Sequence, residues 1–117
     1  MAFVPSAATM WRVGALSGAS AVLLGAFGAH GLKARLGEGS PLLATWGPAA
    51  HYHLAHSGAI LIAASSKRPG PAALFAAGTL IFSGSLYALV LSGYKPLGAV
   101  APVGGLLLTA GWLSLLL

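Results

Sequence analysis

The sequence predicts an all-α membrane protein, four transmembrane helices in an antiparallel up-and-down bundle with both termini on one side. Three observations predict it. Of 117 residues, 57% are hydrophobic and only 6% are charged, where a soluble domain carries about a quarter. The few charges stand apart and leave four long apolar segments between them. Each segment is near the roughly 20 residues a helix needs to cross the hydrocarbon core, and none shows the alternation of a barrel strand. A backbone in lipid must satisfy its own hydrogen bonds, so such segments form helices.

The first helix is expected at about 11–30. Its uncharged run, Val13 to Ala29, has Trp11 and Arg12 before it and Lys33 and Arg35 after it. His30-Gly31 reads as its end, with Gly31 in the left-handed capping position. An interfacial loop is expected at about 31–47, where Lys33, Arg35, Glu38 and Pro41 cluster and Leu32, Leu36, Leu42 and Leu43 can lie along the membrane surface. The second helix, about 48–66, opens on Pro48, a residue tolerated in a first turn. Lys67-Arg68-Pro69-Gly70 is a tight turn, which makes the second and third helices antiparallel neighbours. The third helix, about 71–92, opens near Pro71 and stops at Gly93-Tyr94-Lys95-Pro96. The fourth, about 97–116, contains Pro102, which either kinks or begins it. The chain reads as a single domain, 1–117.

Aromatic anchors frame these spans: Trp46 and Tyr94 at one surface, Trp11 and Trp112 near the other. Arg12, Lys67 and Arg68 fall on one side and Lys33, Arg35 and Lys95 on the other, so charge assigns no orientation.

Lipid tails are as apolar as leucine, so helices in a bilayer associate through close backbone contact and hydrogen bonds. Gly14, Gly18, Ala21, Gly25 and Gly28 make a small-residue groove on one face of the first helix. Thr79, Ser83 and Tyr87 recur every four residues on the third helix, their hydroxyls facing i−4 carbonyls or a neighbouring helix. Pro102 and Gly105 are the packing residues expected on the fourth.

The chemistry is narrowly bounded. Glu38 is the one carboxylate, which excludes an acid dyad and a chain of buried acids relaying protons. The absence of Cys excludes disulfides and thiolate sites. The basic residues stand in ones and twos, unlike a nucleic-acid surface. The stretch from Met1 to Arg12 makes a poor secretory signal. Four histidines remain. His30 ends the first helix, and His51, His53 and His56 lie in the first half of the second, so all four are expected towards the same surface. At ~100° per residue, His53 and His56 share a face, His51 points away from His53, and Tyr52 and His56 are i, i+4 neighbours. His30, His53, His56 and Tyr52 are therefore the candidate site for a ligand, a lipid or a metal ion. Against that stands the plainer role of neutral histidines bonding across helices. No catalytic residue, resident metal or cofactor is expected.

Leu24-Gly-Ala-Phe-Gly-Ala-His30-Gly-Leu32, Tyr52-His-Leu-Ala-His56, Gly78-Thr-Leu-Ile-Phe-Ser-Gly-Ser-Leu-Tyr87, and Pro102-Val-Gly-Gly105 with Gly111-Trp112 resemble the small membrane proteins called transmembrane protein 256 in animals, whose bacterial relatives form the domain of unknown function 423 family. The likeness spans nearly the whole chain in order. It implies four transmembrane helices in a bacterial plasma membrane or a mitochondrial inner membrane, and it brings no established reaction. His30, His56, Ser83, Tyr87, Pro102 and Trp112 are the family-typical positions it implies, and His51 is outside the pattern.

The functional expectation is a non-catalytic accessory subunit, surrounded by lipid and packed against other subunits of a larger membrane complex, with the respiratory chain or another energy-converting complex as host. No nucleic acid and no soluble substrate are expected. The alternative is a small homo-oligomeric transporter, or a protein binding a quinone, lipid or other ligand through His30, His53 and His56.

Overall fold

The computed structural model describes residues 4–117. Residues 1–3, the start of the N-terminal stretch read above, lie outside the described residues. Helix α1, Ala7–Phe27, starts where the Ser6 side chain accepts a hydrogen bond from the Thr9 amide, which satisfies one of the unpaired donors of a first turn. It does not stop at His30. The chain runs on through one π turn, Gly28–Leu32, into α2, Lys33–Leu36, and ends at Gly37, where φ is +86°. Helix α3, Pro41–Ser65, begins four residues later, with the Ser40 side chain accepting from the Leu42 amide and Pro41 in the first turn.

The interfacial loop expected at 31–47 therefore shrinks to a short turn around Gly37 to Ser40, and Gly31 is not a left-handed cap. Pro41, not Pro48, takes the first-turn position; Pro48 lies inside α3 on its exposed side. The cause is tertiary. Trp46, expected in an interfacial aromatic belt, is only 3% exposed. Its indole N–H donates to the Leu24 carbonyl at 2.9 Å, and its ring packs between Phe27 and Tyr87. A side chain at Gly28 would overlap that indole. Burying one large aromatic at the end of α1 holds the segment before Pro48 in helix, and a proline removes one backbone bond without ending a helix that its neighbours hold in place.

After a turn in which Lys67 takes φ 56°, α4 runs from Pro69 to Ser92 and closes on left-handed Gly93. A 3-10 turn, Lys95–Ala99, precedes α5, Ala101–Ser114. Pro102 thus begins α5 rather than kinking it, and the expected span at 97–116 is a helix of 14 residues. The Arg68 guanidinium donates to the Ser114 and Leu115 carbonyls at 3.0 and 2.9 Å. It closes the far end of α5 with a cation at the negative pole of the helix.

Ala7–Leu36, Pro69–Ser92 and Lys95–Ser114 are long and apolar enough to cross a membrane. Helix α3 has the length, 25 residues; its three histidines lower its hydropathy, and its place between α1 and α4 turns His53 and His56 onto protein. The longest dimension, 45 Å, matches a bilayer with its headgroups. Leu16, Leu23, Leu80 and Leu106 are each more than 70% exposed, which lipid tolerates and water does not. This is an all-α membrane protein.

The helices form an antiparallel row, α1 on α3, α3 on α4 and α4 on α5, bent so that α1 approaches α4. Glycines set the close seams. At Gly14 an added Cβ would stand 2.8 Å from Leu61, and at Gly18 3.8 Å from Ser57, both on α3. The small-residue groove on α1 is thus filled by α3 of the same chain, except at Gly25, where a Cβ would meet nothing within 4 Å. Between α4 and α5, Gly78 seats Leu108, Gly111 seats the Phe75 ring, and Gly104 lies against the Phe82 backbone. Gly105, the residue expected to pack, has only the edge of Phe82 at 4.0 Å.

Candidate functional site

Because α3 begins at Pro41, His53 is its middle residue, twelve from either end. At 1.5 Å per residue that is about 18 Å from each end. His53 and His56 lie deep in the span, not towards the surface that ends α1. His30 is exposed on the π turn. Among the described residues no three histidine or acidic side chains come together to hold a metal ion. The four candidate residues divide among three environments.

His53 is the centre of the first. Its Nδ1 lies 2.9 Å from the Tyr87 hydroxyl on α4, and its Nε2 lies 3.2 Å from Ser20 Oγ on α1. Ser20 donates its proton to the Ser17 carbonyl at 2.9 Å. The bonding pattern therefore assigns the ring hydrogen to Nε2, which donates to Ser20, and leaves Nδ1 to accept from Tyr87. Ser57 donates to the His53 carbonyl and accepts from Ser17, both at 2.6 Å. Ser83, fully buried, donates to the Ala49 carbonyl at 2.7 Å. This polar ladder ties α1, α3 and α4 together. The i, i+3 pair Ser17 and Ser20, the polar side chains of α1 after Arg12, was the sequence signal for its α1 side.

His56 takes the opposite tautomer. Trp112 Nε1–H on α5 donates to its Nε2 at 3.0 Å, so the ring hydrogen is on Nδ1 and donates to the Tyr52 carbonyl at 2.8 Å. Tyr52 stacks on the His56 ring, and Phe75 and Trp112 pack around it. A smaller cavity of about 360 Å³ lies beside this cluster, between α3 and α5. His51 is exposed, with its ring against the edge of Tyr52. Glu38 pairs with Lys33 at 3.3 Å on the surface, 82% exposed, where an ion pair contributes little. It orients no imidazole.

A groove of about 740 Å³ lies where the row bends. Helices α1 and α4 form its walls and α3 its floor. Leu16 and Leu80, both exposed, stand at its rim, so it opens sideways towards the acyl chains. Ser17, Ser20, His53, Thr79, Ser83 and Tyr87 supply its polar lining, with Ser17 bonded to Ser57 and Ser83 to the Ala49 carbonyl. Ser20, His53 and Tyr87 are paired with one another. Thr79 Oγ1 is the one buried side-chain polar atom without a partner among the described residues.

Lipid-facing leucines, glycine seams and histidines bonded across helices define a small integral membrane protein. The comparisons agree. The family model "Protein of unknown function (DUF423)" matches residues 24–105. A UPF0382 membrane protein of Staphylococcus aureus is 40% identical over 111 residues, covering 90% of this chain and 89% of the relative. A UPF0382 membrane protein of Schizosaccharomyces pombe is 37% identical over 119 residues, covering 92% and 98%. No solved structure matches. The chain belongs to the DUF423 family.

Proposed function

We propose that the protein is a non-enzymatic accessory subunit that packs against other subunits of a larger membrane complex. One observation carries this reading. Gly25 on α1 and Gly47 and Gly58 on α3 are helical, and a Cβ at any of them would meet nothing within 4 Å. A glycine inside a helix costs about 1 kcal/mol relative to alanine, and no contact within the chain requires it at these places. Small residues on an outer face allow the backbone of another membrane helix to approach closely. The imidazoles of His53 and His56 support the same reading, because three of their four ring nitrogens join helices and the fourth, His56 Nδ1, is taken by the Tyr52 carbonyl of α3 itself. The host we propose is a respiratory-chain or other energy-converting complex. Relatives in staphylococci and in a yeast fit the bacterial plasma membrane and the mitochondrial inner membrane, the membranes where such complexes reside in the two kinds of cell.

The test is a pair of variants, Gly25→Leu and Gly58→Leu, expressed in the native membrane. Both should fold, since the added side chains have room. At least one should stop the protein migrating with a larger complex on a native gel. If both migrate as the unaltered chain does, those faces are not docking surfaces and the reading loses its support.

A second reading, a protein that binds a lipophilic ligand, has the α1–α4 groove in its favour.

A further inference from the structure

In the groove between α1 and α4 every hydroxyl proton but one has an acceptor inside the protein. Tyr87 donates to His53, Ser20 to Ser17, Ser83 to Ala49, and Ser17 to Ser57. Thr79 is the exception. It is 6% exposed, lines the groove, and its Oγ1 has no partner. A buried hydroxyl without a bond costs roughly 1–3 kcal/mol, and in lipid no water is at hand to relieve it. Threonine populates two χ1 rotamers in a helix, so the hydroxyl can turn from the α4 backbone into the groove. An acceptor standing in the groove would meet the hydroxyl in that rotamer and relieve this cost.

Depth says what kind of molecule can bring it. Thr79 is ten residues from the start of α4 and thirteen from its end, about 15 to 20 Å from either surface. A phospholipid keeps its headgroup at the surface and its ester carbonyls near it, so it cannot set a carbonyl at this level. A lipophile with no charged headgroup can. The wall around Thr79 is low, made by Ala76, Ala77 and Gly84, and suits a planar ring. The leucines of the rim suit an alkyl tail. The volume, about 740 Å³, lies within the usual range of small-molecule sites.

We infer that this groove binds a neutral, headgroup-free lipophile of the benzoquinone class, its ring against the small residues of α4 and one carbonyl accepting a hydrogen bond from Thr79. Binding requires no change in the charge of His53. The site is independent of any partner subunit, so it is tested on the isolated chain.

The full chain is reconstituted in phosphatidylcholine nanodiscs and titrated with decyl-benzoquinone. The readout is the saturable quenching of tryptophan fluorescence, reported mainly by Trp46, whose ring centroid lies 4.6 Å from that of Tyr87 on the groove wall. The expected result is saturable binding that Thr79→Val weakens about tenfold, one hydrogen bond of about 1.4 kcal/mol, and that Thr79→Ser keeps. Gly84→Phe, whose added Cβ would meet only Leu80 at 4.0 Å, should fill the groove and abolish binding. Decylbenzene, with the same tail and no carbonyl, should not compete. Quenching without saturation, equal affinity of the Val variant, or full competition by decylbenzene would each overturn the inference.

Discussion

Gly104 and Gly105 are neighbours on α5, and the structure predicts opposite responses to the same substitution. A Cβ on Gly104 would stand 2.7 Å from Phe82 Cα and 2.8 Å from the Gly78 carbonyl oxygen, both backbone atoms of α4. The Phe82 backbone nitrogen would be closer still, and ordinary contact begins near 3.4 Å, so the two helices must part by about 1 Å. A gap of that size forfeits roughly a quarter to a half of the dispersion energy at each contact along the seam, including Leu108 on Gly78 and Phe75 on Gly111. Overpacking that backbone cannot relieve costs about 3 kcal/mol, and alanine returns about 1 kcal/mol of helix propensity. Gly104→Ala should therefore destabilise by about 2 kcal/mol. Gly105→Ala introduces no closer contact than 4.0 Å and should be neutral or stabilising by up to about 1 kcal/mol. Reversible unfolding in mixed micelles, followed by helical circular dichroism, measures both. Equal stabilities, or the reverse order, would refute the α4–α5 seam described above.

Three further outcomes follow from named contacts. Trp46→Phe should lose about 1 kcal/mol with its bond to Leu24, and hydrogen exchange should show the residues just after Pro41 opening before the rest of α3. A double-mutant cycle on His56→Leu and Trp112→Phe should give a coupling of about 1 kcal/mol; no coupling would mean that the imidazole does not accept from the indole. Arg68→Met should remove the two bonds to the end of α5, costing about 1 kcal/mol, and should raise exchange at the C-terminal turn after Trp112 while leaving α4 protected.

The apolar segments were legible because hydropathy depends on local composition alone. The boundary between the first two spans was not. Pro41 and Pro48 are equally good first-turn residues, and the glycines and charges between Gly31 and Glu38 look like loop. What decides between the prolines is Trp46 against Gly28, a contact between residues 18 positions apart. That one misplacement carried through to the histidines: with α3 starting at Pro48, His53 falls near a surface, and with α3 starting at Pro41, it falls at mid-span. The spacing of Thr79, Ser83 and Tyr87 disclosed a polar face on α4. It could not disclose that two of the three hydroxyls find partners on α3 and the third finds none. The Arg68 contact joins residues 46 and 47 apart, beyond any local pattern.

The most direct test of the subunit proposal is the native mass of the protein extracted in mild detergent, with its co-purifying chains identified. A large complex with partners in fixed stoichiometry is expected. A free monomer, or an oligomer of this chain alone, would contradict it.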